Sequence, residues 1–242
     1  MFRLSTRRLC LLVAPVAVLA LGSSAAHALT VPFTENFSSG TANWTNSAST
    51  AISSASTGGP AGAGDAYATS AITLSGAAPT TATVLFRGQD NLNSSNQAFV
   101  GSWANGVVTN FSFWVRQNST VPMTFGVRVA TVANNPAYSL ISPTKVQPNT
   151  WTQVAFAIDP VVAAANPTVY NFEGAPSSTS FATVFGNVGK LQVLAYQETL
   201  ASGTSVTFDL DKVQVVPEPA SLGVLGGIGL IGLLARRRKA RA

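Results

Sequence analysis

The sequence predicts an all-β protein: a single β-sandwich over residues 29–216, set between two hydrophobic terminal segments. Two observations carry that expectation. Between residues 29 and 216 no apolar set recurs at helical spacing, and short runs of alternating apolar and polar residues are separated by clusters of Ser, Thr, Asn, Gly and Pro. That is the pattern of strands with one buried face. No internal repeat is evident, and the run spacing suits one domain.

In chain order, short strands are expected around Phe33 to Phe37 and Tyr67 to Leu74, followed by Thr81 to Gly88. In Asn110 to Gln117 the residues Phe111, Phe113 and Val115 share one face; in Met123 to Val132 the apolar set is Met123, Phe125, Val127 and Val129. Trp151 to Asp159 places Val154, Phe156 and Ile158 inward, and Leu191 to Tyr196 and Ser205 to Val216 supply the last strands. Prolines 122, 136, 143, 148, 160, 167 and 176 are assigned to loops, since proline cannot donate to a strand ladder. In the last strand Val206, Phe208 and Leu210 are even-numbered whereas Val213 and Val215 are odd. The inward parity slips around Asp211-Lys212, which a β-bulge accommodates.

The N-terminal segment reads basic Met1 to Arg8, then a 14-residue apolar run, then small residues ending Ala26-His27-Ala28. This is the three-part plan of a signal peptide spanning residues 1–28, with cleavage by signal peptidase between Ala28 and Leu29. The apolar run is too short to span a bilayer comfortably. Residues 217–242 begin Pro217-Glu218-Pro219, an extended dipeptide-locked stretch. The 16 uncharged residues Ala220 to Ala235 come next, roughly 24 Å as a helix, and the chain ends in a tail holding Arg236, Arg237, Arg238, Lys239 and Arg241. The tail would stay on the cytoplasmic side of a transmembrane helix that the uncharged run forms.

Pro-Glu-Pro, a short glycine-rich hydrophobic helix and a terminal arginine cluster, in that order, resemble the PEP-CTERM sorting signal. The carrying residues are Pro217, Glu218, Pro219, Arg236, Arg237 and Arg238. The resemblance implies export through the inner membrane of a Gram-negative bacterium, recognition and cleavage by an exosortase near Pro217, and release to the cell surface or an extracellular polysaccharide matrix. Retention of the helix as a permanent anchor is the alternative.

Loss of residues 1–28 removes Cys10 and His27, the only cysteine and histidine. Disulfides, Cys/His zinc sites, Cys nucleophiles and Ser-His triads are thereby excluded from the body. The formal net charge of +5 belongs to the termini, because residues 29–216 hold six cations and eight acids. Nucleic acid is excluded as a partner, since no basic stripe exists to meet phosphates.

The opening Phe33-Thr34-Glu35-Asn36-Phe37 and the closing Phe208-Asp209-Leu210-Asp211-Lys212-Val213 resemble the paired first and last strands of galactose-binding-like jelly rolls, including carbohydrate-binding modules. The resemblance implies a jelly-roll-like sandwich and a structural calcium, for which Glu35, Asp209 and Asp211 are the candidate oxygen ligands. The alternative is that these acids are exposed partners of inward hydrophobes. No other cofactor is expected.

A glycan-binding reading starts from Trp114, which alternates opposite Phe111, Phe113 and Val115, with Arg116 on its own face and Arg128 opposite Phe125, Val127 and Val129. If the two strands are neighbours, Trp114, Arg116 and Arg128 form an aromatic and cationic platform for extracellular polysaccharide; an ordinary arginine-covered tryptophan is the alternative. Trp44, Trp103 and Tyr138, near expected loops, are weaker candidates, and Trp151 reads as core. The carboxylates show no recognisable catalytic pair. The expected function is therefore a non-catalytic surface or matrix protein that binds polysaccharide; the alternatives are a structural, adhesive protein without a specific glycan, and a carboxylate-dependent glycan-active enzyme.

Overall fold

The structure is a computed structural model that describes residues 29–74, 82–174 and 180–217. The expected signal peptide, residues 1–28, and the residues after Pro217, with them the expected transmembrane helix, lie outside the described residues. No described helix is long and apolar enough to cross a membrane.

Two sheets pack face to face. The first has the order β2 (Ser53–Ala55), β3 (Tyr67–Thr73), β11 (Ser205–Val216), β5 (Asn110–Gln117), β8 (Thr152–Ala157), with β1 (Phe33–Glu35) also pairing with β11. The second runs β4 (Ala82–Gln89), β10 (Val188–Tyr196), β6 (Met123–Thr131), β7 (Ala137–Val146), β9 (Tyr170–Glu173). All pairings are antiparallel. The inward sets read from alternation are the core: Phe111, Phe113, Val115, Phe125, Val127, Val129, Val154, Phe156, Val206, Phe208 and Leu210 are all buried. Phe125 of the second sheet meets Phe208 of the first edge-to-face at 6.1 Å, a contact that fixes the two layers against each other.

The parity slip in β11 is a bulge. Asp211 opposes Trp114 and Gln214 opposes Ser112, so three steps on β11 match two on β5, and Lys212 takes a left-handed φ of 45°. The bulge also marks a change of neighbour: residues before it pair with β3 and residues after it with β1, Glu35 opposing Val213 and Phe33 opposing Val215. Both ends of the body thus meet on one strand edge. Thr109 N–H donates to Val216 O at 2.8 Å, and the chain leaves the sheet at Pro217.

Three expectations are corrected. Pro143 lies within β7, where Gly126 opposes Ile141 and Thr124 opposes Lys145, leaving an extruded bulge that needs no proline N–H. Ser142 closes it, its hydroxyl accepting from Thr144 N–H at 3.1 Å. Two short helices, α1 (Pro160–Ala165) and α2 (Ser180–Phe185), interrupt the strands. The α1 signal is local: the Asp159 carboxylate accepts from Val161 and Val162 N–H, with Pro160 at the first helical position. Trp44 and Trp103 are core residues with 1% and 0% exposure, because their loops fold inward rather than out.

Candidate functional site

The outer face of the first sheet carries most of the chemistry. Directly opposed residues share a face, so Asp209, Arg116 and the start of β8 form one row, and Asp211, Trp114 and Gln153 form the next. Arg116 Nε donates to Asp209 Oδ2 at 2.8 Å. Its guanidinium lies 5.1 Å from the Tyr67 ring centre and 4.7 Å from that of Trp151, and its Nη1 reaches Gly58 O at 3.4 Å. Trp151 Nε1 donates to the same carbonyl at 3.0 Å. Arg116 is therefore sandwiched between the two rings, and it ties the loop between β2 and β3 onto the sheet. Trp151, expected in the core, sits on this outer face instead. Its parity opposite Val154 and Phe156 was the signal that places it there.

Trp114 differs from the other three tryptophans. Trp44 Nε1 donates to Ser95 Oγ, Trp103 Nε1 to Phe99 O and Trp151 Nε1 to Gly58 O. Among the described residues Trp114 has neither a hydrogen-bond acceptor nor a ring partner, and its indole is half-exposed. Gln153 and Ser112, joined at 3.4 Å, lie beside it. A flat ring with a spare N–H beside the exposed Gln153 amide is chemistry that can stack on and hydrogen-bond a planar polar ligand, whereas the Ser112 hydroxyl is buried.

Arg128 does not join this face. β5 and β6 belong to different sheets, so the turn between them crosses the sandwich and sends Arg128 to the outside of the second sheet. There its Nε donates to Glu173 Oε2 at 2.6 Å, its Nη1 and Nη2 reach Asn134, and Ser139 Oγ donates to Glu173 Oε1 at 2.5 Å. The three-residue platform expected from the sequence is two separate sites. Tyr138 packs against Phe172, Phe181 and Phe185 rather than facing a loop.

The expected calcium ligands also separate. Asp209 is committed to Arg116. Asp211, at the bulge, is fully buried; its Oδ1 accepts from Lys212 N–H at 2.7 Å, whereas its Oδ2 is buried with no partner among the described residues. Desolvation, with the nearby Asp65 and Glu35 charges adding to it, pushes the carboxyl up to about 7, against the opposing pull of Lys212. Asp65, which the sequence reading did not single out, accepts from Lys212 Nζ at 3.0 Å and from Ala61 N–H at 2.6 Å. Glu35 opposes inward-facing Val213 and its Oε1 accepts from Phe37 N–H at 2.8 Å, whereas Asp211 opposes outward-facing Trp114, so the three expected ligands are not brought together. Among the described residues no three His, Cys, Asp or Glu side chains group to hold a metal.

Charge is otherwise neutralised locally. Five of the six cations of the body are ion-paired: Arg116–Asp209, Arg128–Glu173, Lys145–Glu198, Lys190–Asp90 and Lys212–Asp65. The sixth, Arg87, reaches Ser49 Oγ, and among the described residues its Nε is buried without a partner.

The described residues form a two-sheet antiparallel β-sandwich whose fold is shared with solved structures. It is similar to the structure of an exo-β-agarase (TM-score 0.51, 10% identity, 78% of this chain and 25% of that one). It is also similar to the CBM22-1–GH10 modules of Clostridium thermocellum xylanase 10B (TM-score 0.46, 14% identity, 79% and 29%) and to the family 11 carbohydrate-binding module of the same organism's Lic26A-Cel5E (TM-score 0.40, 12% identity, 78% and 96%). At these identities the likeness concerns the fold alone, and the chain spans little more than a quarter of the first two proteins. No match was found among the curated proteins. Residues 215–239 match the PEP-CTERM protein-sorting motif. The motif implies export, C-terminal membrane anchoring before processing and an exosortase as processing partner, and it begins where β11 ends.

Proposed function

We propose that the protein is exported under a cleavable signal peptide, inserted by its C-terminal helix and processed by an exosortase at Pro217-Glu218-Pro219. Its β-sandwich then binds polysaccharide at the cell surface or in the matrix without catalysing its turnover. The observation that carries the binding reading is Trp114: the one half-exposed tryptophan whose ring and N–H are both unspent among the described residues, set beside the exposed Gln153 and the buried Ser112. Arg116, Tyr67 and Trp151 frame that face and hold it rigid, which lowers the ordering cost of binding.

The carboxylates support a non-catalytic role. Five are ion-paired, Asp159 caps α1, and Asp211 is buried away from any substrate. Hydrolysis needs two carboxylates facing one bond. A glycan array read with the intact protein and with Trp114→Ala tests the proposal: retention on polysaccharide that the substitution abolishes supports it, while retention unchanged by the substitution, or release of a hydrolysis product, overturns it. Mass spectrometry of protein recovered outside the cell tests the sorting half. The expected chain starts at Leu29 and ends near Pro217; an intact arginine tail makes the helix a permanent anchor.

A further inference from the structure

A second recess lies away from the tryptophan face, where β1 and the loop after it meet the turn between β4 and β5. It encloses about 420 Å³, within the range of small-ligand sites. Phe33 supplies an apolar flank, held edge-to-face against Phe99 at 5.1 Å, while Glu35, Asn36, Ser38, Asn43 and Asn96 supply polar groups.

The walls are built rather than loose. Ala42 and Asn43 on one side, and Asn93, Ser95, Asn96 and Gln97 on the other, all hold left-handed φ between 48° and 61°. Asparagine tolerates that region better than most residues, but a run of such residues is costly unless its surroundings hold it. Here cross-links do so: Ser95 N–H donates to Ala42 O at 2.8 Å, Ser94 Oγ to Asn43 O at 2.9 Å, and Asn43 Nδ2 to Asn93 O at 3.4 Å. Trp44 Nε1 anchors Ser95 Oγ from beneath at 2.9 Å.

Part of what these walls present is unspent, the Asn43 amide being held by Asn93 O and Glu35 Oε1 by Phe37 N–H at 2.8 Å. Among the described residues the Asn96 side-chain amide and the Ser38 hydroxyl make no intramolecular hydrogen bond, and Asn36 uses only its Oδ1, toward Ser38 N–H. No lysine or arginine lines the recess, and its single charge is the Glu35 carboxylate. Hydroxyls and amides with one carboxylate acceptor suit a ligand that carries hydroxyls and no negative charge.

The geometry points to this recess as a second binding site, independent of Trp114, for the end of a neutral oligosaccharide and against uronate or sulfate sugars. The volume holds one or two sugar rings, so the site takes a chain terminus or a short branch rather than the run of a polymer.

The test is an NMR titration of the purified full-length chain with cellotetraose, maltotetraose and chitotriose, and with trigalacturonate as the anionic counterpart. At about 10 mM sugar a site with a Kd near 1 mM is mostly filled. At least one neutral sugar should move the amides of residues 36–43 and 95–98, in the intact protein and in Trp114→Ala alike. Trigalacturonate should leave them still. Asn96→Gly keeps the left-handed backbone while removing the amide, and should weaken binding about tenfold, as for one lost hydrogen bond. Ser38→Trp, on an exposed turn, should fill the recess and abolish the shifts without altering the melting temperature. The inference is overturned if no neutral sugar in the panel moves these amides, if trigalacturonate moves them equally, or if Ser38→Trp leaves the response intact. Loss of the response in Trp114→Ala would assign it to the tryptophan face instead.

Discussion

Asp211 stands directly opposite Trp114 in the pairing of β11 with β5, a fully buried acid beside the half-exposed ring. At the bulge around Lys212, β11 ends its pairing with β3 and starts pairing with β1, and Asp211 Oδ2 is left buried without a partner among the described residues.

In metal-free protein Asp211 makes stability fall as pH rises. Its folded pKa is raised from 3.8 to about 7, so the folded state holds a proton that the unfolded chain has released. The penalty is absent below the unfolded value, grows between the two and is complete above the folded one, on the order of 4 kcal/mol. Asp211→Asn should be the more stable protein at about pH 8 and should converge on the parent near pH 4. Urea unfolding across that range, with chelator present, checks this; a parent protein as stable as the variant at the upper end would refute it.

If calcium occupies the bulge, its removal should lower the melting temperature. The expected pattern across variants is specific: chelator shifts the parent and Asp209→Asn alike, because Asp209 serves Arg116, and leaves Glu35→Gln and Asp211→Asn unmoved. Calorimetry with added calcium reads it directly, and an unchanged parent transition removes the metal.

Arg116→Ala should cost about 3 kcal/mol, since it strips the buried Asp209 of its partner and empties the space between two aromatic rings. Arg116→Lys should recover only part of that, as ammonium cannot stack as a plane or bridge Asp209 and Gly58 together. A red shift in tryptophan emission, from Trp151 losing its covering loop, should accompany the alanine variant and not Trp114→Ala.

Gly88→Ala tests the packing that buries Trp44. A β-carbon there would lie 2.6 Å from the Trp44 ring, which has no room to retreat in the core. Overpacking of this kind costs about 1–3 kcal/mol. Thermal melting should register the loss, while glycan retention at Trp114, on the other sheet, persists below the new transition.

Much of the fold was legible from alternation. Phe111, Phe113 and Val115 had to face inward because the period of a strand is two, and the switch from Leu210 to Val213 required a bulge for the same reason. The missed pieces lack that signature: β7 runs through Pro143, and the short β9 and helices are set by neighbours and caps.

The sequence by itself determined the organisation of the chain: a sorting motif whose order of proline, apolar and basic elements is local, and a body whose alternating hydrophobicity permits only packed sheets. It also determined what chemistry is absent, because a body without cysteine or histidine cannot acquire either by folding. Which side chains meet was decided by the tertiary structure alone. Crossing from β5 to β6 changes sheet, so Arg116 and Arg128, twelve positions apart, lie on opposite outer faces. Arg116 and Asp209, 93 positions apart, lie side by side. Alternation specifies which face a residue occupies within its strand; only the pairing order of the strands specifies which residues share that face.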